Sequence, residues 1–393
     1  MNRAHFLDTA HADEAAYLAT VERLALQESP SHDKAACDAL ADDLASLLTD
    51  DGWQVTRHAR STVGDILEAR ITADSPAAAG GPLSRVREPS GPSTLLLTHL
   101  DTVWPLGTLA QMPVRRDGDI LYGPGTVDMK AGIACAIHAV RLAANTGTQL
   151  AGPVTLLVTS DEEVGSRESR TIIEELAQQH DRVLVLEPAR EDGAMKIGRK
   201  GTGMYKVTFT GKSAHAGNNP SDGASALREL AHFLLYVEDL ADDVAGTTVN
   251  LTKAKGGFAT NVIAEEATAE IDVRILRAAE VRRVDEAVKA YQPRDKRVTF
   301  TVAGGLNRPP LESTEANVSL HHAADEALSS LGMKLDGAVV GGGSDGNFTS
   351  ALGVATLDGL GSVGGAAHAR HEHIRIRESL DRVALLATLL TAP

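Results

Sequence analysis

Three short apolar segments in the first half of the chain determine what kind of sheet it can form. They cover residues 94–101, 153–159 and 182–186, and leucine and valine dominate each of them. Continuous apolar runs of this length are typical of strands that are buried on both faces, as in parallel sheets. Helical patterns at 129–145 and 167–179 separate them. This alternation predicts an α/β fold with a mostly parallel sheet covered by helices.

The flanking sequence adds elements of the same kind. The predicted elements are helices at 33–50 and 316–331 and strands at 53–58, 65–72 and 354–357. Between the strands predicted at 65–72 and 94–101, residues 77–93 are rich in alanine, glycine, proline and serine, which predicts a surface loop.

The pattern changes in the middle of the chain, from about residue 201. The elements predicted there are strand 204–210, helix 223–240, strands 247–255 and 267–275, helix 280–291 and strand 297–303. This β-α-β-β-α-β order is that of a ferredoxin-like domain. We therefore expect a catalytic domain in two pieces, 1–200 and 310–393, interrupted by an inserted domain at 201–309. An exposed edge of its sheet would suit dimerisation, so we expect a homodimer.

Bulk properties exclude several classes of function. A formal net charge of −15 argues against a nucleic-acid partner, because little positive charge is available to neutralise phosphates. No apolar run is long enough for a membrane span, and residues 1–20 lack the apolar core of a signal peptide. The two cysteines, Cys37 and Cys135, offer no disulfide framework. These features predict a cytoplasmic protein.

Acidic residues and histidines follow the predicted buried strands at the point where each strand ends. His99 and Asp101 are two positions apart and so point the same way, while Glu162 and Glu163 follow the next strand. Glu187 follows the strand at 182–186, and Asp128 lies in a glycine-rich turn before a helix. Because ligands gather at the carboxyl ends of parallel strands, we expect these side chains to meet.

Carboxylates gathered in this way would repel each other unless a cation lay between them. Histidine, aspartate and glutamate without cysteine suit a catalytic zinc site, although cobalt or manganese accept the same ligands. The number of ligands exceeds the need of one zinc ion and favours two ions that share a carboxylate. Taken singly, His99 could be an ordinary polar group, and the Glu162–Glu163 pair could be a helix N-terminus.

Four motifs resemble those of the zinc peptidase family that contains glutamate carboxypeptidase, acetylornithine deacetylase and succinyl-diaminopimelate desuccinylase. They are His99-Leu-Asp101-Thr-Val, Gly123-Pro-Gly-x-x-Asp128-Met-Lys, Asp161-Glu162-Glu163-x-Gly165-Ser and Glu187-Pro188. The resemblance runs from about residue 20 to the end of the sequence. The stretch 98–132 is most similar to the glutamate carboxypeptidase branch.

This resemblance implies a role for each matching position. Asp128 would bridge two metal ions, with His99 and Glu187 completing one site. Glu163 and a later histidine would complete the other. Asp101 would hold the second nitrogen of His99. Glu162 would be the general base that takes a proton from water and passes it to the leaving amine.

The later histidine must be chosen from three candidates. In the family pattern a histidine that follows small residues is itself followed, four positions later, by a glutamate. His368 with Glu372 has this spacing, so His368 is the predicted ligand. His371 and His373 remain alternatives.

Substrate-binding positions are also implied by the resemblance. Arg274 would bind the substrate carboxylate, and Asn261 matches another substrate-contacting position. His215 resembles a family histidine that reaches the active site of a neighbouring subunit, with a plain polar loop residue as the alternative. In the glycine-rich loop Gly341–Asp345, the backbone amides are candidates for holding an anion, among them those of Gly342 and Ser344, unless the glycines form only a flexible turn.

The sequence therefore predicts a di-zinc metallohydrolase that cleaves an amide bond next to a free carboxylate. A glutamate-carboxypeptidase-like exopeptidase acting on a small peptide or an N-acyl amino acid is the leading hypothesis. An N-acyl-amino-acid deacylase or a dipeptidase is the first alternative. A metal-binding interaction module without catalysis is a more distant one, and the presence of Glu162 argues against it.

Overall fold

A computed structural model describes residues 5–71, 91–329, 331–334 and 336–392. Its helices are α1 (His5–Ala12), α2 (Glu14–Ala25), α3 (Lys34–Asp51), α4 (Ala131–Asn145), α5 (Arg170–Ala177), α6 (Ala226–Glu238), α7 (Ala278–Ala290), α8 (Glu315–Ser329), α9 (Gly346–Ala351) and α10 (Ile376–Thr391). The strands are β1 (Gln54–His58), β2 (Ile66–Ile71), β3 (Thr94–His99), β4 (Arg115–Asp117), β5 (Ile120–Tyr122), β6 (Val154–Thr159), β7 (Arg182–Val185), β8 (Met195–Arg199), β9 (Gly201–Thr210), β10 (Thr248–Gly256), β11 (Glu266–Ile275), β12 (Thr299–Arg308), β13 (Gly337–Val340), β14 (Ala355–Leu357), β15 (Gly364–Gly365) and β16 (His373–Arg375).

The chain divides into two compact units. The larger is drawn from residues 1–197, 313–339 and 344–393, and the smaller from 198–312 and 340–343. The segment at 340–343 joins the smaller unit although it lies outside the inserted range that the sequence suggested. Most of the predicted loop at 77–93 lies outside the described residues.

The main sheet of the larger unit has the strand order β1-β2-β6-β3-β7-β14. The pairs β6–β3, β3–β7 and β7–β14 are parallel, whereas β1 and β2 are joined antiparallel at one edge. The predicted mostly parallel sheet is therefore confirmed. It brings the carboxyl ends of β3, β6 and β7 to one edge.

Both faces of this sheet are covered, as the apolar composition of β3 requires. Leu96 belongs to the core that contains α4 and α10, whereas Leu95 and Leu97 belong to a second core with α5 and Phe348. Successive side chains of a strand point to opposite faces, so β3 contributes to both cores. A shift of one residue in its register would exchange the two sets.

The smaller unit contains an antiparallel sheet with the strand order β10-β11-β9-β12. Along the chain its elements follow the order β9, α6, β10, β11, α7 and β12, so the predicted ferredoxin-like arrangement is confirmed. Its core includes a group of aromatic rings, among them Phe209, Phe233 and Tyr291. The strand predicted at 297–303 is longer than expected, because β12 continues to Arg308.

Several elements of the larger unit were not predicted, among them the helices α1, α2, α9 and α10. The helix α10 packs on α4 and is buried along most of its length. A small sheet with the order β15-β16-β5-β4 joins the region after residue 360 to the region before the glycine-rich turn. In it, His373 pairs with Tyr122 and Ile374 with Leu121. This pairing sets the segment that contains His368 beside the turn that contains Asp128.

No helix within the described part of the chain is both long and apolar enough to cross a membrane. Both cysteines, Cys37 and Cys135, are buried and unpaired.

Candidate metal centre

The imidazole of His99 is buried at the end of β3, with only 2% of its surface exposed. Its Nδ1 atom lies 3.0 Å from the backbone oxygen of Asp101 and 3.4 Å from Asp101 Oδ1. A proton on Nδ1 can therefore be donated to Asp101, which directs Nε2 to the other side. Among the described residues His99 Nε2 has no hydrogen-bond partner, although it is completely enclosed.

Two carboxylates face this nitrogen. His99 Nε2 lies 3.3 Å from Asp128 Oδ1 and 3.5 Å from Glu187 Oε1. Glu187 follows β7, the strand that pairs with β3, so neighbouring strand ends supply two of the three side chains. We call His99, Asp128 and Glu187 the buried cluster.

A second group of three side chains shares Asp128 with the first. His368 Nε2 lies 3.3 Å from Asp128 Oδ2 and 3.1 Å from Glu163 Oε1. The His368 side chain is 51% exposed, in contrast to His99. We call Asp128, Glu163 and His368 the exposed cluster. Each oxygen of Asp128 faces a different histidine, and in each cluster the three donor atoms lie within 4.8 Å of one another.

The protonation of the two histidines shows how strongly both clusters attract positive charge. Burial by itself would lower the pKa of His99, but the carboxylates of Asp101, Asp128 and Glu187 outweigh it and raise the pKa well above its ordinary value. Asp128 and Glu163 raise the pKa of His368 from 6.5 to about 10. Without another cation, protonated imidazoles compensate the carboxylates.

These donors fit a divalent metal ion in each cluster. Each cluster offers one imidazole nitrogen and two carboxylates, which suits a catalytic zinc ion that keeps a position open. The enclosed, unpartnered Nε2 of His99 is the kind of atom that a metal would satisfy. Among the described residues, no other three side chains of these types lie close enough together to hold a metal ion.

Asp101 connects the buried cluster to the turn that contains Glu162 and Glu163. It is completely buried, and its Oδ1 and Oδ2 accept hydrogen bonds of 3.2 Å from the backbone N–H groups of Glu162 and Glu163 respectively. The hydroxyl of Ser31 donates a further bond of 2.6 Å to Oδ2. Although burial would raise the pKa of Asp101, its contact with His99 outweighs this and lowers it. One carboxylate thus orients His99 and positions both glutamates.

Glu372 organises the site from the side of the small sheet, and its role was not predicted. Its Oε2 accepts hydrogen bonds from Trp104 Nε1 at 2.7 Å and from the Gly125 amide at 3.0 Å. Its Oε1 accepts from the amides of Val127 at 3.1 Å and Asp128 at 3.2 Å. Burial raises the pKa of this carboxyl to about 7. The spacing from His368 to Glu372 was the signal that could have revealed it.

The hydrogen bonds between Glu372 and the Gly125–Asp128 turn form what we call the Glu372 clamp. The backbone of the two segments that it joins is tightly constrained. Gly125 has φ +69°, and a Cβ there would lie 2.6 Å from Thr102 Cγ2, so the turn requires glycine. Ala366 and His368 also adopt positive φ values, of 60° and 63°. Non-glycine residues in this region store strain that the surrounding structure must offset, and such residues cluster at functional sites.

Most of the predicted substrate-binding residues belong to the smaller unit. His215 is exposed, and its Nδ1 accepts hydrogen bonds from the amides of Gly217 and Asn218, which leaves Nε2 as the other polar atom of the ring. Asn261 is also exposed. Arg274 is partly exposed and forms an ion pair with Asp272 at 2.9 Å.

The two predicted positions in the loop Gly341–Asp345 differ in accessibility. Gly342 is exposed and its carbonyl accepts a hydrogen bond from Arg199 Nη1 at 3.3 Å. Ser344 belongs to the larger unit, is completely buried, and donates its hydroxyl to Asp358 at 2.6 Å. The Ser344 amide donates to Asn347 Oδ1 at 2.9 Å. Anion binding by the backbone amides of this loop stays a prediction.

Comparison with known proteins gives a consistent result. Residues 95–392 match the sequence profile described as peptidase family M20/M25/M40. Carboxypeptidase G2 of Pseudomonas sp. (strain RS-16) is 31% identical, over 99% of this chain and 92% of that protein. Succinyl-diaminopimelate desuccinylase of Alkalilimnicola ehrlichii is 30% identical, over 74% of this chain and 80% of that protein. The crystal structure of aminopeptidase PepT from Bacillus cereus superposes with a TM-score of 0.78 at 19% identity, covering 96% of this chain and 98% of that one.

Proposed function

The chain belongs to the metal-dependent peptidase family M20/M25/M40, and from that premise we propose that it is a di-zinc hydrolase that cleaves an amide bond next to a free carboxylate. The observation that carries this proposal is the position of Asp128, with one carboxylate oxygen toward each of two histidines. A shared carboxylate between two three-ligand clusters is the arrangement that a pair of ions requires. The similarity to carboxypeptidase G2 over nearly the whole chain favours a carboxypeptidase. The resemblance of residues 98–132 to the glutamate carboxypeptidase branch favours glutamate as the released amino acid.

Glu162 is the proposed general base. When bound, the two ions would polarise the scissile carbonyl and make the attacking water more acidic. The Glu162 carboxylate takes one proton from this water as the new C–O bond forms, and delivers it to the amide nitrogen as the C–N bond breaks. The products are a carboxylic acid and a free amine. Asp101 contributes by holding the Glu162 amide and by orienting His99.

We assign the recognition of the substrate to the smaller unit. The planar guanidinium of Arg274 suits a bidentate interaction with the substrate carboxylate, in exchange for its present pairing with Asp272. His215 has Nε2 available as a donor to the oxyanion that develops on the scissile carbonyl. Asn261 and the Gly342 loop are further candidate contacts. The exposed strand β10, at one edge of its sheet, supports our proposal of a homodimer.

A second candidate function is deacylation of N-acyl amino acids, and one specific observation favours it. Succinyl-diaminopimelate desuccinylases match at 30% and 29% identity over more than 70% of the chain. A dipeptidase would use the same two clusters, and Arg274 would bind the free carboxylate of the dipeptide.

The first test combines metal analysis with a substrate panel for the wild type and Glu162→Gln. The panel contains N-acyl-glutamates, dipeptides and N-acetylated amino acids. We expect two zinc ions per chain in both proteins, glutamate release by the wild type, and a loss of kcat of about 100-fold or more in Glu162→Gln, because general-base catalysis contributes about 10²–10⁴-fold. Full activity of Glu162→Gln would show that the mechanism is wrong. A metal-loaded but inert wild type would favour an interaction module.

A further inference from the structure

A cavity of about 400 Å³ adjoins the exposed cluster within the larger unit. Glu163 and Val164 form part of its wall. Most of the surface of the wall is apolar and comes from residues such as Pro30, Val103 and Leu106, while the polar contributors are Ser31, His32, Asp33 and Thr102. The volume falls within the range of roughly 300–1,000 Å³ that is usual for small-molecule sites. A residue of the proposed metal centre is therefore also a wall of an apolar cavity.

The segments that form this cavity are held in place by hydrogen bonds. The Thr102 amide donates to the Ser29 carbonyl at 2.8 Å, and the Ser31 amide donates to the Thr102 carbonyl at 3.3 Å. Beyond Leu106, both oxygens of Glu28 accept bonds of 2.7 Å, from the amides of Gly107 and Leu109. Apolar side chains remain exposed on this supported frame, since Leu106 is 56% exposed and Val103 is 43% exposed. A preformed apolar surface binds without the cost of ordering it first.

The charged groups around the cavity decide what it can bind. The described lining residues include no lysine or arginine, but they do include two carboxyl groups, those of Asp33 and Glu163. Asp33 is committed to the start of α3, where it accepts a hydrogen bond from the Ala36 amide. His32 is exposed and is the one imidazole among these residues. Because Glu163 would be engaged by a metal ion, its charge alone does not exclude an anionic ligand. A ligand carboxylate placed here would leave water for a mainly apolar wall and find no guanidinium or ammonium partner among the described lining residues.

We propose that this cavity is the acyl pocket of the enzyme and that it selects uncharged, apolar acyl groups over dicarboxylic ones such as succinyl. This inference rests on the proposed function, because it assumes an amide substrate held at the two clusters. The carboxylate of the released amino acid needs a cation, which the cavity lacks, so the cavity takes the other side of the scissile bond. Because Glu163 lines the cavity and also belongs to the exposed cluster, an acyl chain bound in the cavity would hold its carbonyl carbon close to that cluster.

The test uses two N-acyl-glutamates of similar size that differ in charge. N-pentanoyl-glutamate ends in a methyl group where N-succinyl-glutamate ends in a carboxylate. With the zinc-loaded full chain, we expect kcat/KM for the pentanoyl substrate to exceed that for the succinyl substrate by at least about tenfold, since unfavourable pocket contacts discriminate by roughly 10–200-fold or more. Leu106→Arg should reduce or reverse this ratio by raising turnover of the succinyl substrate.

Two controls separate the pocket from general effects. Leu106→Met keeps the apolar character and should keep the preference, while Leu352→Arg adds the same charge at another exposed leucine of the larger unit and should leave the ratio unchanged. Succinyl preference in the wild type, or a ratio that Leu106→Arg does not move, would overturn the pocket assignment alone. If neither acyl-glutamate nor any other amide in the panel is cleaved, the proposed function itself fails.

Discussion

The buried and exposed clusters share a carboxylate and have the same ligand types, but they are built in different ways. The buried cluster takes His99 and Glu187 from the ends of two paired parallel strands, and His99 is only 2% exposed. The exposed cluster takes Glu163 from a turn and His368 from a connecting segment, and the His368 side chain is 51% exposed. Rigid strands thus form one half of the centre and irregular backbone forms the other.

This difference indicates that the two clusters would hold their metal ions with different strength and accessibility. In the buried cluster, His99 and Glu187 adjoin strands of the main sheet and would enclose a metal ion with little freedom to move. An ion in the exposed cluster would sit where solvent and substrate arrive, beside the apolar cavity that Glu163 also lines. We therefore expect the buried ion to be the more tightly held, and the exposed ion to exchange more readily.

The largest effect is expected from substitution of Asp128, because its carboxylate belongs to both the buried and the exposed cluster. Asp128→Asn replaces the group that faces both histidines with a neutral amide. We expect loss of both ions and a decrease in kcat/KM of about a thousandfold or more, beyond the roughly 10–100-fold effects typical of groups that only orient a ligand. Zinc content measured by elemental analysis, together with steady-state kinetics, checks this. Retention of one tightly bound ion would show that the clusters are independent.

A smaller effect should separate the two histidines. His99→Ala removes the buried imidazole that faces the carboxylates of Asp101 and Glu187, which we expect to cost about 3–5 kcal/mol of stability in the metal-free protein, as for other broken buried ion pairs. His368→Ala removes a half-exposed side chain and should alter stability far less. Unfolding of the metal-free variants in urea measures both values. Equal destabilisation by the two substitutions would show that the buried and exposed clusters contribute equally to stability, contrary to this prediction.

The smallest effect concerns pH and belongs to the exposed half. In the metal-free protein Asp128 and Glu163 raise the pKa of His368 from 6.5 to about 10, so the folded state binds this proton more tightly than the unfolded state. The resulting stabilisation is complete below pH 6.5 and is lost as pH rises through about 10. We expect the Tm of chelator-treated wild type to fall more over this interval than that of His368→Gln.

Zinc should reverse this dependence on pH. The ligands must lose their protons before they bind a metal, so zinc affinity should increase as pH rises. A matched titration of the wild type at several pH values checks the sign. An affinity that falls with rising pH would contradict the assignment of His368 as a ligand.

The regular elements of the fold could be predicted because their signals are local. The helix predicted at 33–50 is α3 at Lys34–Asp51, since Asp33 accepts a hydrogen bond at its start and Gly52 ends it with a φ of 99°. The buried run at 94–101 is identified by composition alone. The helix predicted from residue 129 begins at Ala131 instead, because Asp128 and Met129 adopt non-helical backbone angles.

What the sequence did not reveal depends on contacts between distant segments. The strands β4, β5, β15 and β16 are two or three residues long, too short for a local pattern to mark them. The pairing of β16 with β5 joins His373 to Tyr122, far apart along the chain. Gly304 and Gly305 interrupt the alternation that would have shown β12 continuing to Arg308. In the site, the proposed ligands follow from spacing and motifs. The buried hydrogen bond from Ser344 to Asp358 joins two positions that no spacing rule connects.

The clamp made by Glu372 has a consequence for how the protein is synthesised. Glu372 and His368 are translated only after the entire smaller unit, whereas the other four proposed ligands precede it. A nascent chain that has emerged as far as the smaller unit therefore lacks both the fifth ligand and the carboxyl that fixes the Asp128 turn. The complete centre can therefore form only after the last piece of the larger unit has been synthesised and has packed against the first. We expect no hydrolase activity from a nascent chain that lacks this last piece.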